Sequence, residues 1–399
     1  MKSDKSTPNV PTLRFAEYTD EWHKFALSDF VTRITRRNKN NESSLPLTIS
    51  AQYGLVDQIT FFNKTVASVD LSGYYLLYNG DFAYNKSYSN DYAWGAVKRL
   101  DRYDKGCLSS LYFVFRPKDS VDSDYLTHYF ETKKWHKGIS DIAGEGARNH
   151  GLLNMAVDDY FATKHFLPAI DEQRKIAAFL NKIEKRIEIQ NKIISKYESL
   201  IKGISRDYFN KTPDYYVSLN DLIIMGKAGG TPSSTISEYY SGYIPFLSIS
   251  DMTKQGKYIE YTERHISEIG LDNSSAWLVP QNSLILSMYA SVGLVCINKV
   301  PLATSQAMFS MILKDSDNLD YIYYYLNFFR ETQIHRLLET GTQSNINADT
   351  VRAITIPFYA DKSTYVKSML VIEKRLNNEK DMLFRLTDLK AYLLSNLFI

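Results

Sequence analysis

Two stretches of this chain carry an apolar stripe with a seven-residue period. In the first, Ile176, Leu180, Ile183, Ile187, Gln190, Ile194, Tyr197, Ile201, Ile204 and Tyr208 recur in alternating steps of four and three, the a and d seam of a heptad. In the second, Tyr365, Met369, Ile372, Leu376, Glu379, Leu383, Leu386, Lys390, Leu393 and Leu397 keep the same frame. The spacing predicts one long helix over 171–210 and another over 361–399, each roughly 57 Å long at 1.5 Å per residue. Pro168 and Pro357 stand just ahead of them, and Gly203, late in the first, weakens it by roughly 1 kcal/mol relative to alanine. Gln190 and Glu379 interrupt the two stripes at the same point. Each is either a buried polar residue that fixes register or a solvent-side lapse in the pattern.

The stripes belong to a larger repeat. Ile183-Glu184-Lys185-Arg186 recurs as Ile372-Glu373-Lys374-Arg375, and the same offset places Pro168 on Pro357, Leu200 on Leu389 and Phe209 on Phe398. Upstream, Asp124-Tyr125 and Tyr129 match Asp320-Tyr321 and Tyr325, Ser110 matches Ser305, and Gly146 matches Gly341. Trp22 leading to Leu27-Ser28-Asp29-Phe30 is echoed by Tyr216 leading to Leu219-Asn220-Asp221-Leu222. The offset drifts along the chain, as it must when loops differ in length while elements persist, and such a repeat fixes architecture before local structure is argued.

The expected fold is α+β: two mixed α/β recognition domains separated by two long antiparallel coiled-coil helices, with an internal pseudo-two-fold repeat. Residues 1–17 read as a loose tail, 18–170 as the first domain, 171–210 as the central helix, 211–360 as the second domain and 361–399 as the distal helix. The antiparallel sense follows from connectivity, because a second helix leaving the second domain must run back to pack on the first. Intermolecular coiled coils are the alternative. Strand-like runs include Leu111 to Phe115, Ser283 to Ser287 and Phe309 to Leu313. Asn79-Gly80-Asp81 and Gly229-Gly230-Thr231-Pro232 are turn signals. A helix is expected to follow Asp124 and another Asp320, with those aspartates as N-caps.

Composition narrows the function. At 399 residues the chain exceeds one ordinary core. No apolar run is long enough to span a membrane, and no leader is expected. Two cysteines, Cys107 and Cys296, offer neither a zinc spacing nor a disulfide framework, which suits a reducing cytoplasm. A net charge of +2 means that any cationic surface must be local. The 30 Tyr and 20 Phe suit cores and interfaces alike. Catalytic patterns are missing: no Asn-Pro-Pro-Tyr or Asp-Pro-Pro-Tyr tetrapeptide of an amino-methyltransferase, no Gly-x-Gly cofactor loop, and no phosphate loop at Gly226-Lys227. His128, His136 and His150 are not spaced as metal ligands. Asp158-Asp159 reads as a loop or helix cap.

With helices and repeat in hand, the chain resembles the specificity subunit of type I restriction-modification enzymes. The stretches that carry the likeness are Val10-Pro11-Thr12-Leu13-Arg14-Phe15 with Trp22, Gly80 to Ser87, Gly151 to Asp159, Leu167-Pro168 followed by Asp171-Glu172-Gln173-Arg174-Lys175-Ile176, Gly230-Thr231-Pro232, Ile244 to Leu247, and Gly341-Thr342. They cover nearly the whole chain, and their order and duplication are specific where each alone is loose. The second long helix departs from the pattern, with Asp361-Lys362-Ser363-Thr364 where the first has Glu172-Gln173-Arg174-Lys175. The resemblance implies there an altered partner contact and an unchanged fold.

What the resemblance implies is a non-catalytic subunit that reads a bipartite, asymmetric double-stranded DNA target, one half-site per domain. It would hold two methyltransferase subunits and, through them, restriction subunits. No cofactor is expected in this chain, with S-adenosylmethionine, ATP and Mg expected in the partners, and the place of work is the cytoplasm. Helices of roughly 57 Å, less their overlap with the domains, would place two readers about one DNA turn of 34 Å apart. The residue types suited to DNA contact are Arg33, Arg36, Arg37, Asn38 and Lys39; Lys86, Ser87, Tyr88 and Asn90; and Arg148, Asn149 and His150 in the first copy. In the second they are Lys227, Thr231, Ser233 and Ser234; Met288, Tyr289 and Ser291; and Gln343, Ser344 and Asn345. Base readers and phosphate clamps use the same residue types and are not separated here. A duplicated coiled-coil scaffold that reads no DNA is the competing function.

Overall fold

The structure, a computed structural model, describes residues 9–64, 67–68, 70–89, 92–143, 151–337 and 345–399. It divides into two compact units, one of residues 1–191 with 381–399 and one of residues 192–380. The chain therefore returns to its first unit at its end. Both stripes form helices, Ile170–Phe209 and Lys362–Asn396. Every predicted seam position on them is buried or half-buried.

In the first unit, Ile176, Ala177 and Leu180 share a core with Leu393, Leu397 and Phe398, and Lys390 Nζ reaches Glu184 Oε1 at 2.6 Å. In the second unit, Glu198 pairs with Lys380 at 3.0 Å, and Tyr208 stacks on Tyr365 at 4.0 Å. Within each unit, numbers rise along one helix as they fall along the other, so the two segments run antiparallel.

Each unit presents the same order of elements. Strand His23–Ala26, the single helical turn Leu27–Phe30 and strand Val31–Arg33 open the first. Strand Tyr215–Ser218, the turn Leu219–Leu222 and strand Ile223–Ala228 open the second. Leu27 and Leu219 are fully buried, and Asp29 and Asp221 bond back to Ala26 and Ser218 at the start of each turn. Each opening strand then pairs antiparallel with a late strand, His23–Ala26 with Lys164–Leu167 and Tyr215–Ser218 with Thr355–Phe358.

The main sheets match strand for strand. The first is ordered Val31–Arg33, Phe113–Pro117, Phe82–Asn85, Ala96–Arg99, all antiparallel. The second is ordered Ile223–Ala228, Met308–Leu313, Leu284–Ser287, Val295–Asn298, also antiparallel, with Tyr258–Ile259 added in parallel at the edge. The strands are short, and the predicted runs are displaced by one or two residues.

The two short helices that the repeat predicts are Ser123–Tyr129 and Leu319–Thr332. Their N-caps are Asp122, whose side chain accepts from the Tyr125 N–H, and Asn318. Asp124 and Asp320 therefore do not cap. Within the first turn, Asp124 pairs with Arg99 at 2.7 Å and Asp320 with Lys257 at 2.9 Å. Asp158 and Asp159 lie in the first turn of helix Val157–Ala162, where carboxylates are favoured by the helix dipole.

The differing starts of the long helices serve one purpose. Gln173, buried, accepts from the backbone N–H of Asp122 at 2.9 Å, and Lys362 donates to Asn318 Oδ1 at 2.6 Å. Each ties a long helix to the cap of its unit's short helix. Glu172, also buried, is clamped by Arg14 through two bonds of 2.7 Å, so the Glu172-Gln173 pair faces the protein interior. One repeat anchor dissolves: Trp22 is buried while Tyr216 is exposed, and strand register sets Tyr216 against Lys24 instead.

Several tyrosines of the second unit bury their rings and bond their hydroxyls. Tyr208 donates to Asp361 at 2.9 Å, Tyr324 to Glu373 at 2.5 Å and Tyr359 to the carbonyl of Lys211 at 3.1 Å. Cys107 and Cys296 are free and buried. No helix among the described residues is long and apolar enough to cross a membrane.

A buried histidine makes the first unit pH-sensitive. The Thr163 hydroxyl donates to the Tyr160 carbonyl at 2.7 Å, so it must accept from His165 Nε2–H at 2.8 Å. His165 Nδ1 then accepts from the Tyr129 hydroxyl at 2.8 Å. A second proton would break that chain, and burial pushes the imidazole down to about 4. The unfolded chain takes up this proton near 6.5, above the folded value, so the contribution is complete above about pH 6.5 and is lost as pH falls toward 4. We predict that wild type loses roughly 3 kcal/mol more stability than His165→Gln across that window, as read from urea midpoints at graded pH. Equal losses would show that His165 does not titrate as described.

Candidate nucleic-acid interface

Antiparallel pairing brings particular loops to one edge of each main sheet. In the first unit, Val31–Arg33 and Phe82–Asn85 both run toward the Phe113 end of the strand between them. The chain therefore leaves at Ile34 and at Lys86 on the same edge. In the second, Ile223–Ala228 and Leu284–Ser287 both run toward Met308, and the chain leaves at Gly229 and at Met288.

A third segment joins each edge. Lys86 and Tyr88 bond through their backbones to Leu153 and Gly151, at 3.0 and 3.1 Å. Met288 accepts from the Ile346 N–H at 3.1 Å. Residues 151–153 and Ile346, which follow the two segments that sequence reasoning placed at equivalent positions, thus bond to equivalent loops. Arg148, Asn149, His150, Gln343 and Ser344 themselves lie outside the described residues, as does Asn90. Asn345 is half-buried beside Ile346.

In the second unit a fourth segment completes the edge. Gly229 N–H donates to Met308 O at 3.1 Å, Gly230 N–H to Thr304 O at 2.9 Å, and Thr231 Oγ1 to Gln306 Oε1 at 2.5 Å. A Cβ on Gly229 would stand 2.0 Å from the Thr304 carbonyl, and one on Gly230 2.2 Å from Ser275 Oγ. Both glycines are there for close backbone approach. Lys227, Thr231, Ser233 and Ser234 are exposed along this loop. Tyr289 is exposed beside them, with Ser291 half-buried, in a turn where Ala290 adopts φ of 58°, a conformation that non-glycine residues hold only in a fixed loop. Gln306 was not singled out from sequence. Its only signal there is that it follows Ser305, the repeat partner of Ser110.

The basic run of the first unit is largely committed to the fold. Asp81, fully buried, accepts from Arg36 Nη2 at 2.8 Å, from Arg116 Nε at 2.6 Å and from the Tyr78 N–H at 2.8 Å. Arg36 lies over the Tyr78 ring, and Arg37 lies over Tyr75 while donating to the Gly73 carbonyl at 2.7 Å. Asn38 is fully buried, its amide and carbonyl both spent on Ser43. Asn38 is therefore withdrawn as a surface contact, and so is Met288, whose side chain is in the core. Arg33 and Lys39 remain exposed. Ser87 is exposed and Tyr88 half-buried. Lys86 sits with Nζ 4.7 Å from the Phe113 ring, and partial burial lowers its pKa.

The groups at both edges are hydroxyls, amides and cations, able to donate and accept hydrogen bonds and to meet negative charge. Among the described residues one histidine–carboxylate group has metal-ligand proximity, His128, Glu131 and Glu184, with ligand atoms within 4.8 Å of one another. The Lys390 ammonium lies 2.8 Å from Glu131 and 2.6 Å from Glu184. It supplies the positive charge that an ion would otherwise bring.

Comparison with known proteins points one way. Residues 215–359 match the sequence family described as Type I restriction modification DNA specificity domain. Over 187 residues the chain is 32% identical to the Type I restriction enzyme HindI specificity subunit of Haemophilus influenzae, covering 45% of this chain and 40% of that protein. Over 132 residues it is 30% identical to the Type I restriction enzyme MjaIX specificity subunit of Methanocaldococcus jannaschii, covering 33% and 31%. The chain thus spans less than half the length of these curated relatives. Its fold matches that of the Type-I restriction-modification system S subunit from M. genitalium with a TM-score of 0.57 at 14% identity, over 98% of this chain and 99% of that one.

The Asp81 clamp holds Arg36 and Arg116 at the start of strand Phe82–Asn85, the end opposite Lys86. Asp81→Ala removes a buried carboxylate that organises two guanidiniums. Both can turn to water, so the expected loss is about 2 kcal/mol, below that for a fully buried pair. It should appear as a lower urea midpoint, and Asp81→Asn should recover only part of it. A loss within about 0.5 kcal/mol, the ordinary range for surface substitutions, would show that Asp81 does not hold the two guanidiniums in place.

Proposed function

We propose that this chain, which belongs to the specificity subunits of type I restriction-modification enzymes, is the component of such an assembly that selects the DNA sequence. Each unit reads one half of a bipartite, asymmetric target through the loop edge of its main sheet. The observation that carries this reading is the pairing of one scaffold with two unlike edges. The strand orders coincide, yet Lys86, Ser87 and Tyr88 stand in one unit where Tyr289 and Ser291 stand in the other, with Thr231, Ser233 and Ser234 beside them. Equal frames carrying different hydrogen-bonding groups suit a partner whose two halves share geometry and differ in sequence. Hydroxyl, amide and ammonium groups match base edges and phosphates.

The chemistry belongs to partners in this reading. Methyltransferase subunits dock on the chain and bring S-adenosylmethionine; restriction subunits join through them and use ATP and Mg. The long helices, repeated in both sequence and structure, are the surface best suited to two copies of one partner.

Exchange of residues 18–165 for the corresponding domain of a divergent specificity subunit tests the proposal. Methylome sequencing of cells carrying the exchanged chain with its methyltransferase should show one half-site replaced and the other retained. An unchanged methylation pattern would support a scaffold that reads no DNA. Simultaneous change of both halves would refute the assignment of one half-site to each unit.

A further inference from the structure

A cleft of about 560 Å³ opens in the first unit between the opening strand ribbon and helix His136–Ile142. Four lysines line it: Lys24, Lys134, Lys137 and Lys164. All four are exposed, and among the described residues none has an ion-pair partner. The carboxylates at its wall are Asp141 and Asp159, so cations exceed anions four to two in a chain whose whole net charge is only +2.

The lysines are held together by the fold. Lys24 and Lys164 lie on one face of the antiparallel ribbon, since Lys24 is set against Phe166 and Lys164 against Ala26. Lys134 precedes the N-cap Trp135 of helix His136–Ile142 and Lys137 is the second residue of that helix, and both line the cleft. Trp135 between them is buried and bonds the Phe130 carbonyl at 3.1 Å, which fixes this segment on the core. Like charges so placed repel one another unless a polyanion lies between them. Lysine presents a mobile point charge that can meet phosphate oxygens approached from several directions.

The second unit does not repeat the ribbon pair. The positions equivalent to Lys24 and Lys164 are Tyr216 and Thr355, both uncharged. The ribbon lysines are therefore an addition to the shared frame.

We propose that this cleft is a phosphate clamp for the DNA backbone, separate from the loop edge that contacts bases, and that it anchors the duplex on the first unit only. The inference rests on the DNA-reading function proposed above. Phosphate contacts fix register and carry no sequence information, so the clamp contributes affinity without selectivity.

The test uses the full chain with its methyltransferase partner and fluorescent duplexes with and without the target sequence, titrated between about 50 and 200 mM salt. The variants are Lys24→Gln/Lys164→Gln, Lys134→Gln/Lys137→Gln and the fourfold combination, with urea midpoints to confirm folding. Because each phosphate contact contributes about 0.9 to the slope of log affinity against log salt, each double variant should flatten the slope by about 2 and the fourfold variant by about 4. Affinity should fall by the same factor on both duplexes, and the methylated sequence should not change.

An unaltered slope in the fourfold variant, while wild type discriminates its target, would overturn the clamp and leave the DNA-reading function standing. Wild type that binds both duplexes equally would instead overturn the function on which the clamp depends. Weakened methyltransferase binding with unchanged DNA affinity would assign the cleft to a protein partner and likewise overturn the proposal.

Discussion

Each long helix ends in or just before a phenylalanine that must be buried, and the structure buries both by the same aromatic contact. Phe398, near the end of the second helix, packs on Tyr125 and Tyr129 with ring centres 5.2 and 6.0 Å apart. Phe209, at the end of the first, packs on Tyr321 and Tyr325 at 5.9 and 5.2 Å. These residues are equivalent across the repeat, so each unit closes its core with the end of a long helix. The first unit is completed only when the last residues of the chain return to it. Burial of rings this large outweighs any single polar link nearby, and the polar links follow its lead: Gln173 and Lys362 each fasten the short helix that carries the tyrosines.

That arrangement leaves one edge of each main sheet free of structural duty. The strands are pinned by the short helix beneath them and by the ribbon that joins first to last. The loops at the far edge need only close the chain. They can differ completely between units while the frame stays the same, which is what a reader of unlike half-sites requires. Where a loop residue is drafted into the fold, as Asn38 is by Ser43 and Met288 is by the core, it is lost to recognition.

Much of this was legible in the sequence, for a physical reason. A helix of 35 or 40 residues repeats its stripe many times, and the repeated anchors, including Phe209 with Phe398 and Tyr125 with Tyr321, are the residues that make the shared contact. The edges were legible only in part. Lys86 and Met288 are equivalents because each follows the same strand of the repeated sheet, and the first of those strands was not among the predicted runs. The fates of Arg36 and Arg37 were not readable, since their partner Asp81 and platform Tyr75 lie some 40 residues away and no local pattern announces them. Hairpins such as Leu47–Ser50 with Gly54–Asp57 are too short for a period to declare itself. The chain of hydrogen bonds around His165 exists only once Tyr129 has met the segment 160–165.

Hydrogen exchange of the full chain with the methyltransferase subunit proposed as its partner, with and without a target duplex, addresses the central claim most directly. The account predicts slowed exchange at the two loop edges, over residues 86–89 and 151–153 in one unit and 229–234, 288–293 and 304–307 in the other, with a non-target duplex giving weaker protection there. Protection confined to the long helices, or identical for target and non-target DNA, would contradict it.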